Sequence, residues 1–172
     1  MTNYYTDKPI VPYHKTVVEM ARVIAAIAAA EVDKEIKRMA YIMFRNESAN
    51  GQRGINNNYC GFQADSGRWG AIHDSAIEGV VDMYENKTGR RRLFLSFYDV
   101  SGCIGMLLER VEGRGLYIGG DTHKIWPAHI DSVNTLARAY KKEWAAGSAK
   151  AEPSTDEVNN FLSMYAQATK LF

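Results

Sequence analysis

The chain has 172 residues, of which 46% are hydrophobic and 24% are charged. These values are close to those of globular proteins, so a disordered tail, a collagen-like repeat and a coiled-coil rod are excluded, and the length suits one domain. The 21 Lys and Arg residues against 20 Asp and Glu residues give a net charge of +1. Because no overall field draws the chain to DNA or an anionic membrane, we expect no nucleic-acid partner and no membrane insertion.

The cysteines and histidines give no sign of a metal site. Cys60 and Cys103 are too few for a disulfide framework, and no Cys and His cluster has zinc-like spacing. We therefore expect no metal and no cofactor. The N-terminal stretch Met1–Lys15 lacks the basic start and apolar run of a signal peptide. The apolar stretch Val17–Val32 carries charged residues and is short for a bilayer, which predicts a packed helix instead of a membrane span.

Two helices are predicted in the first part of the chain. Thr16 and Glu19 have the spacing of a capping box, which predicts a helix that starts there and runs through Ala30. A second helix opens at Asp33, because apolar residues then recur with the spacing of one buried face. The polar segment 46–51 ends this second helix.

The middle of the chain changes character. Arg53–Gly70 is rich in glycine and asparagine with isolated aromatic residues, which predicts a small hairpin or an ordered loop. Ser75–Tyr84 returns to a helical pattern. Leu93–Leu108 fits either a buried helix or strands, and the helix is preferred. A further helix is predicted over Asp131–Gly147, where glycine closes it.

The C-terminal part begins with a linker. The segment Gly147–Thr155 contains small and polar residues and a proline, as linkers do. Ser154 and Glu157 then repeat the capping-box spacing, which predicts a last helix. We therefore expect one domain over residues 1–147, followed over 148–172 by a linker and a helix that packs on the same domain or on a partner.

Glu47 is the first candidate for a chemical role. It follows Met43 by four positions and Ile36 by eleven, which places it on the apolar stripe of its helix and predicts that it points inward. Burial and the negative end of the helix dipole would both raise the pKa of this carboxyl, as a general acid requires. The alternative is a glutamate at a frayed helix end that faces water or pairs with Arg45 or Arg53.

The sequence around Glu47 resembles a known superfamily. The stretch Arg45–Trp69 contains Glu47-Ser48 at the end of a helix, then a polar loop, then Gly61-Phe62-Gln63. This order resembles the lysozyme-like superfamily, in particular soluble lytic transglycosylases and goose-type lysozymes, whose pattern is Glu-Ser followed by Gly-Leu-Met-Gln. One residue separates Gly61 from Gln63 here, where the family pattern has two.

The resemblance implies a fold and an activity. The fold would be mainly α, of the α+β class: a lysozyme-like helical domain with a small β-hairpin or loop region after the catalytic helix. Glu47 would protonate the glycosidic oxygen between N-acetylmuramic acid and N-acetylglucosamine in peptidoglycan. Ser48 would orient groups beside it, and Phe62 and Gln63 would belong to the floor of the sugar cleft. Tyr98, within Phe-Tyr-Asp, would stand for the Tyr of the family's Ala-Tyr-Asn segment.

Other residues in this region are candidates for substrate binding. The amides of Asn56–Asn58, together with Tyr59, offer hydrogen bonds to sugar hydroxyl and acetamido groups, or they build the loop by adopting left-handed turns. Trp69 either stacks on a pyranose face or anchors the core. Both alternatives stay open at this point for the asparagines and for Trp69.

The reaction type depends on a second carboxylate. The segment Ser48–Ala64 contains none, and Asp65 is the nearest one downstream of Glu47. This favours the lytic-transglycosylase route, in which one carboxyl serves as acid and then as base while the acetamido group of the substrate stabilises the cation. A muramidase that uses Asp65 as the second catalytic carboxylate is the alternative.

The missing signal sequence bears on where such an enzyme would work. We expect an endolysin of a bacteriophage or prophage, which accumulates in the cytoplasm until a holin opens the membrane, or a virion-associated enzyme; a secretion-system substrate is a further possibility. Two alternatives are not enzymes. One is a lysozyme fold that only binds wall glycan or has a structural place in the virion. The other is an assembly protein that forms oligomers through an exposed stripe of Phe161, Leu162 and Tyr165 on the last helix.

Overall fold

The chain has an α+β fold. A computed structural model describes residues 7–64, 71–84, 89–114, 116–118, 121–123, 132–146, 148 and 150–172. These residues contain α-helices and three two-stranded antiparallel sheets. The α-helices are α1 (Met20–Ala29), α2 (Lys34–Ser48), α3 (Val100–Arg114), α4 (Val133–Tyr140) and α5 (Thr155–Leu171). The paired strands are β1 (Lys15–Thr16) with β2 (Gly54–Ile55), β3 (Ile77–Tyr84) with β4 (Arg91–Phe97), and β5 (Leu116–Ile118) with β6 (Asp121–His123).

The chain folds into two compact units. The first contains residues 1–27 and 43–107, and the second contains residues 28–42 and 108–172. Helices α2 and α3 each contribute residues to both units. A 3₁₀ helix at Ala71–Ala76 precedes β3 in the first unit, and a π-helical turn at Lys141–Ala145 continues α4 in the second.

The core of the first unit lies beneath the β3–β4 hairpin. Phe44, from the last turns of α2, is fully buried and packs its ring 5.3 Å from that of Tyr59. Phe97, at the end of β4, is buried against Phe62, with the ring centroids 6.4 Å apart. Aromatic pairs of this kind bury large apolar areas and fix the relative position of the elements that carry them. The hairpin is therefore attached to the loop that follows α2.

The second unit holds the C-terminal helix. Phe161 of α5 is buried and lies 5.5 Å from the ring of Tyr140 on α4. The hydroxyl of Tyr165 donates a 2.6 Å hydrogen bond to Glu35, which also pairs with the buried Arg38. The expected exposed stripe on the last helix is therefore wrong for Phe161, which is buried, whereas Leu162 and Tyr165 are half-buried.

Two helix predictions are confirmed together with their caps. Asp33 accepts a 2.8 Å hydrogen bond from the amide of Glu35 and so opens α2. Ser154 and Glu157 form the predicted reciprocal capping box at the start of α5. Both signals are local, because the capping side chain and the amide that it satisfies lie within three residues of each other.

Two helix predictions are wrong. One places the start of a helix too early, and the other assigns a helix where the structure has a strand. Thr16 does not cap α1, which begins at Met20; it belongs to β1, and its hydroxyl accepts from the amide of Asn57. Ser75–Tyr84 was expected to be helical but contains β3. Its buried positions fit both a helical stripe and a half-buried strand, and pairing with β4, the next strand of the hairpin, decides between them.

The expected helix over Leu93–Leu108 is correct only in its second half. Residues 93–97 complete β4, and α3 begins at Val100. Asp99 marks the change, because its carboxylate accepts hydrogen bonds from the amides of Ser101 and Gly102 at the first turn of α3. Such a side chain satisfies amides that have no partner inside the helix.

Two glycines of α3 offer a matched test of this packing. A Cβ at Gly105 would meet nothing within 4 Å, whereas a Cβ at Gly102 would lie 2.9 Å from Cβ of Ala76 and 3.0 Å from Cδ1 of Phe97. We expect Gly105→Ala to raise the free energy of unfolding by about 0.5–1 kcal/mol, since alanine restricts the unfolded chain. Gly102→Ala should not raise it. Urea titration of both variants measures the difference, and equal effects would contradict the packing of α3 against Ala76.

The described helices were also compared with the dimensions of a bilayer. None of the helices in the described ranges combines the length and the apolar character that crossing a membrane requires.

Candidate functional site

A cleft of about 340 Å³ opens in the first unit beside the last turn of α2. Its charged lining comes from Lys15 on β1, Glu47 on α2 and Arg53 just before β2. Aromatic and apolar side chains complete the walls; these are Tyr13, Ile55, Tyr59 and Phe94. The cleft therefore brings together an acidic group, two basic groups and apolar surface from four parts of the chain.

The end of α2 determines where Glu47 lies. The hydroxyl of Ser48 donates to the carbonyl oxygen of Phe44 and accepts a 2.8 Å hydrogen bond from the amide of Gly51. The chain then turns through left-handed residues, with φ of 57° at Asn50 and 82° at Gly51. The resemblance also made Ser48 a substrate-binding residue, but it is 0% exposed; its hydrogen bonds instead end the helix and start the turn.

Glu47 lines the cleft but is exposed, which corrects the expectation that it points inward. The buried stripe of α2 passes through Phe44, and the position four residues later is Ser48. Glu47 therefore lies at the edge of this stripe, where the helix ends. Because Glu47 is exposed, the burial that was expected to keep it protonated has to come from a bound ligand.

Asn56 and Asn57 build the loop that carries the cleft. Both adopt left-handed backbone conformations, with φ of 48° and 59°. The Asn56 side chain accepts from the amide of His14 at 2.7 Å and donates to the carbonyl oxygen of Pro12 at 2.8 Å. The Asn57 side chain donates to the carbonyl oxygen of Phe97 at 3.0 Å. These amides attach the N-terminal segment and the end of β4 to the loop.

Asn58 has the same structural role, although it lines the cleft. Its side chain is only 5% exposed. Its Nδ2 donates to the carbonyl oxygens of Phe62 at 2.8 Å and Leu95 at 3.0 Å, and its Oδ1 accepts from the amide of Phe62 at 3.0 Å. Because both side-chain donors and the acceptor are engaged with the main chain, the structure favours the loop-building alternative over the predicted hydrogen bonds to sugar.

Tyr59 forms the inner surface of the cleft. Its side chain is buried, and its ring packs against Phe44. Burial raises the pKa of the Tyr59 phenol above its ordinary value of 10.0, partly offset by a hydrogen bond with Thr16. Tyr59 lines the cleft but is only 2% exposed, so its ring belongs mainly to the core, and its predicted role in binding sugar stays a prediction.

The remaining predicted residues do not converge on this cleft. Phe62 is buried against Phe97, so its predicted contact with substrate is wrong because it is part of the core. Gln63 is half-buried and forms a backbone bridge with Phe94, and it is Phe94 that lines the cleft. Tyr98 is 66% exposed and lines a different depression with His73 and Asp99.

Two predicted residues cannot be placed. Asp65, the second catalytic carboxylate of the muramidase alternative, and Trp69, the candidate for stacking on sugar, lie outside the described residues. The described residues also contain no group of three or more His, Cys, Asp or Glu side chains arranged to hold a metal ion.

Sequence reasoning missed Tyr13, Lys15 and Phe94, and it considered Arg53 only as a possible ion-pair partner of Glu47. Lys15 lies in a strand of two residues and Arg53 just before another, too short to produce an alternating pattern, and the pairing of Lys15 with Ile55 spans forty positions of the chain. Phe94 was assigned to a helix instead of β4. In the structure Phe94 lies opposite Val81 across the hairpin. Recognising that these two segments pair as strands would have assigned Phe94 to β4.

Gly54 is the position at which the cleft is most sensitive to added volume. A Cβ there would lie 2.4 Å from Cε1 of Tyr59 and 2.6 Å from the hydroxyl of Thr16. We expect Gly54→Ala to lower the free energy of unfolding by about 1–3 kcal/mol, since the ring must shift within a packed site. Gly113→Ala, in α3, where a Cβ meets nothing within 4 Å, is the control and, like Gly105→Ala, should not lower the thermal midpoint. A Gly54 variant as stable as the wild type would contradict this close approach.

The raised pKa of Tyr59 predicts that the free energy of unfolding depends on pH in the alkaline range. Its pKa is raised in the folded protein, so the folded chain holds this proton more tightly than the unfolded chain does. The resulting stabilisation is complete below about pH 10 and is lost as the pH rises toward the folded pKa. We expect Tyr59→Phe to flatten the alkaline fall in unfolding free energy. Tyr84→Phe, which removes an exposed phenol, should leave that slope unchanged, and an unchanged slope in both would contradict the assignment.

The chain was also compared with known proteins. No protein-family model, no curated protein sequence and no solved structure matches it.

Proposed function

We propose that the chain is a lysozyme-like enzyme that cleaves the glycan strands of peptidoglycan between N-acetylmuramic acid and N-acetylglucosamine, with Glu47 as general acid and base. One observation carries the proposal. Among the described residues that line the cleft, Glu47 is the one carboxylate, and it is positioned by the last turn of a buried helix. The resemblance of Arg45–Trp69 to lytic transglycosylases and goose-type lysozymes supports the same assignment.

The chemistry requires a protonated carboxyl at the leaving oxygen. Glu47 is exposed where it lines the cleft. A sugar ring that occupies the cleft takes the carboxyl out of water, and this burial and the negative end of the helix dipole both favour its neutral form. Lys15 and Arg53 in the same lining favour the charged form, so the burial by the sugar has to outweigh these two cations. Proton transfer from a positioned acid then accelerates cleavage of the glycosidic bond.

The lytic-transglycosylase route is preferred over hydrolysis. A retaining or inverting hydrolase needs a second carboxyl group about 5–9.5 Å from the first. The described lining of the cleft supplies only Glu47. In the preferred route Glu47 donates its proton to the leaving oxygen and then removes a proton from the C6 hydroxyl of muramic acid, which closes an anhydro ring. Asp65 as the second carboxylate of a muramidase is the alternative.

A second candidate is a wall-glycan-binding or virion structural protein without catalysis. The exposure of Glu47 favours it, because most general acids of this kind are kept away from water before substrate binds. In this case the cleft would bind a saccharide through Tyr13, Tyr59 and Phe94, and Glu47 would contribute only a hydrogen bond.

Digestion of purified murein sacculi followed by mass spectrometry of the soluble products tests these alternatives. Products that end in anhydromuramic acid support the preferred route. Products with reducing ends that incorporate ¹⁸O from labelled water support the muramidase. If protein sediments with sacculi but releases no soluble fragment, catalysis is ruled out and binding remains.

A further inference from the structure

We infer that the cleft selects glycans that carry carboxylates, through Lys15 and Arg53, over neutral glycans of the same length. This inference rests on the proposed function, since it names the class of saccharide that the same cleft accepts. Neither cation was predicted from the sequence to bind substrate. Strand pairing brings Lys15 and Arg53 into the same cleft lining as Glu47.

The positions of both cations are fixed by the main chain. Lys15 lies opposite Ile55 in the antiparallel pair β1–β2. The amide of Arg53 donates a 2.8 Å hydrogen bond to the carbonyl oxygen of Ser48, the residue after Glu47. Asn56 holds the N-terminal segment that leads into Lys15, through its hydrogen bonds to His14 and Pro12. Both cations therefore belong to the framework that places Glu47.

The net charge of the cleft determines which class of saccharide it binds more tightly. Two basic side chains against one carboxylate leave the described lining with one net positive charge. Protonation of Glu47 during catalysis would remove the negative charge and leave both cations. A neutral chitin strand offers these cations only hydroxyl and amide oxygens. A strand containing muramic acid offers lactyl or stem-peptide carboxylates, which form stronger, charge-assisted hydrogen bonds.

The apolar lining limits what kind of anion fits. Tyr13 is largely exposed at the cleft, and Ile55 and Phe94 are half-buried there. Such surface suits the face of a pyranose ring, whereas a small inorganic anion would leave it uncovered. The combination points to an amino sugar that bears an acid, which is the chemistry of muramic acid.

The test compares three saccharides that share one backbone. They are the peptide-free tetrasaccharide of alternating N-acetylglucosamine and N-acetylmuramic acid, its lactyl methyl ester, and chitotetraose. Calorimetry with Glu47→Gln protein measures binding without turnover. We expect the free acid to bind about three- to tenfold more tightly than either neutral saccharide, and this preference to fall as salt is raised.

Substitutions then assign the preference to the two cations. The double variant Lys15→Gln and Arg53→Gln should bind all three saccharides alike. The double variant Lys15→Arg and Arg53→Lys keeps both charges and should retain the preference, which separates charge from folding. Lys34→Gln removes an exposed charge on α2 that does not line the cleft and should also retain it.

Each outcome separates this inference from the proposed cleavage. Equal binding of the acid and its ester overturns the inference, and so does a preference that survives the Gln double variant. Cleavage of the free acid and its methyl ester at equal rates supports glycan cleavage but overturns the selection of carboxylates. Selective binding without cleavage of sacculi by the wild type supports the selection and overturns catalysis. If no saccharide binds, both proposals fail.

Discussion

Glu47→Gln is expected to lower the rate of murein cleavage by about 10²–10⁴-fold, the usual contribution of a positioned general acid. The amide keeps the size and hydrogen-bonding reach of the carboxyl but has no proton of suitable acidity to transfer. Because the side chain is exposed, the free energy of unfolding should change by no more than about 0.5 kcal/mol. Release of dye-labelled fragments from sacculi and urea titration measure the two quantities.

Glu31→Gln is the matched control for this variant. Glu31 is exposed between α1 and α2 and does not line the cleft, so the same loss of charge there should leave both quantities unchanged. An active Glu47→Gln protein would remove Glu47 from the mechanism. If the wild type is inactive as well and both bind sacculi equally, the non-catalytic alternative explains the cleft better.

The predictable part of the fold is the part with local signals. Helices α2 and α5 could be predicted because Asp33 and the pair Ser154–Glu157 cap them within one turn. The hairpin β3–β4 could not, because the apolar positions of Ile77–Tyr84 fit two periods and a partner strand decided which applied. Thr16 illustrates the same limit: its capping-box spacing is present, but long-range pairing with Gly54 takes the residue into a strand.

The residues of the candidate site also divide into those that the sequence could predict and those that only the folded chain brings together. Glu47 and Tyr59 could be proposed from motif and residue type, and both line the cleft. The exposure of Glu47 could not be predicted, because positions 47 and 48 both lie near the helical stripe and the turn at Gly51 buries Ser48 instead. Lys15 reaches the site only through a sheet of two-residue strands, which leaves no periodic signal.

The asparagine triple shows why residue type alone does not assign a role. An amide suits a sugar hydroxyl and a main-chain carbonyl equally well. The structure engages the Asn58 side chain with the carbonyl oxygens of Phe62 and Leu95 and with the amide of Phe62. Its contribution to function would then be indirect: it holds β4, and with it Phe94, at the cleft.

Asn58→Ala is therefore expected to lower the free energy of unfolding by about 3 kcal/mol. The carbonyl oxygen of Phe62 still accepts from the amide of Leu95, but the carbonyl oxygen of Leu95 and the amide of Phe62 lose the Asn58 side chain, and each such loss costs about 1–3 kcal/mol. Asn58→Asp should be at least as destabilising, since its carboxylate can still accept from the amide of Phe62 but turns negative oxygen toward two carbonyl oxygens. Urea titration measures both.

Asn160→Ala, on the exposed side of α5, is the control and should change stability by no more than about 0.5 kcal/mol. The comparison also decides between the two roles that the sequence left open for Asn58. A framework residue lowers stability when it is removed, and binding of the muramic-acid tetrasaccharide falls only to the extent that the protein unfolds. If Asn58→Ala keeps wild-type stability and loses saccharide binding, its amide contacts the sugar, and the hydrogen bonds to the main chain must open when the glycan enters the cleft.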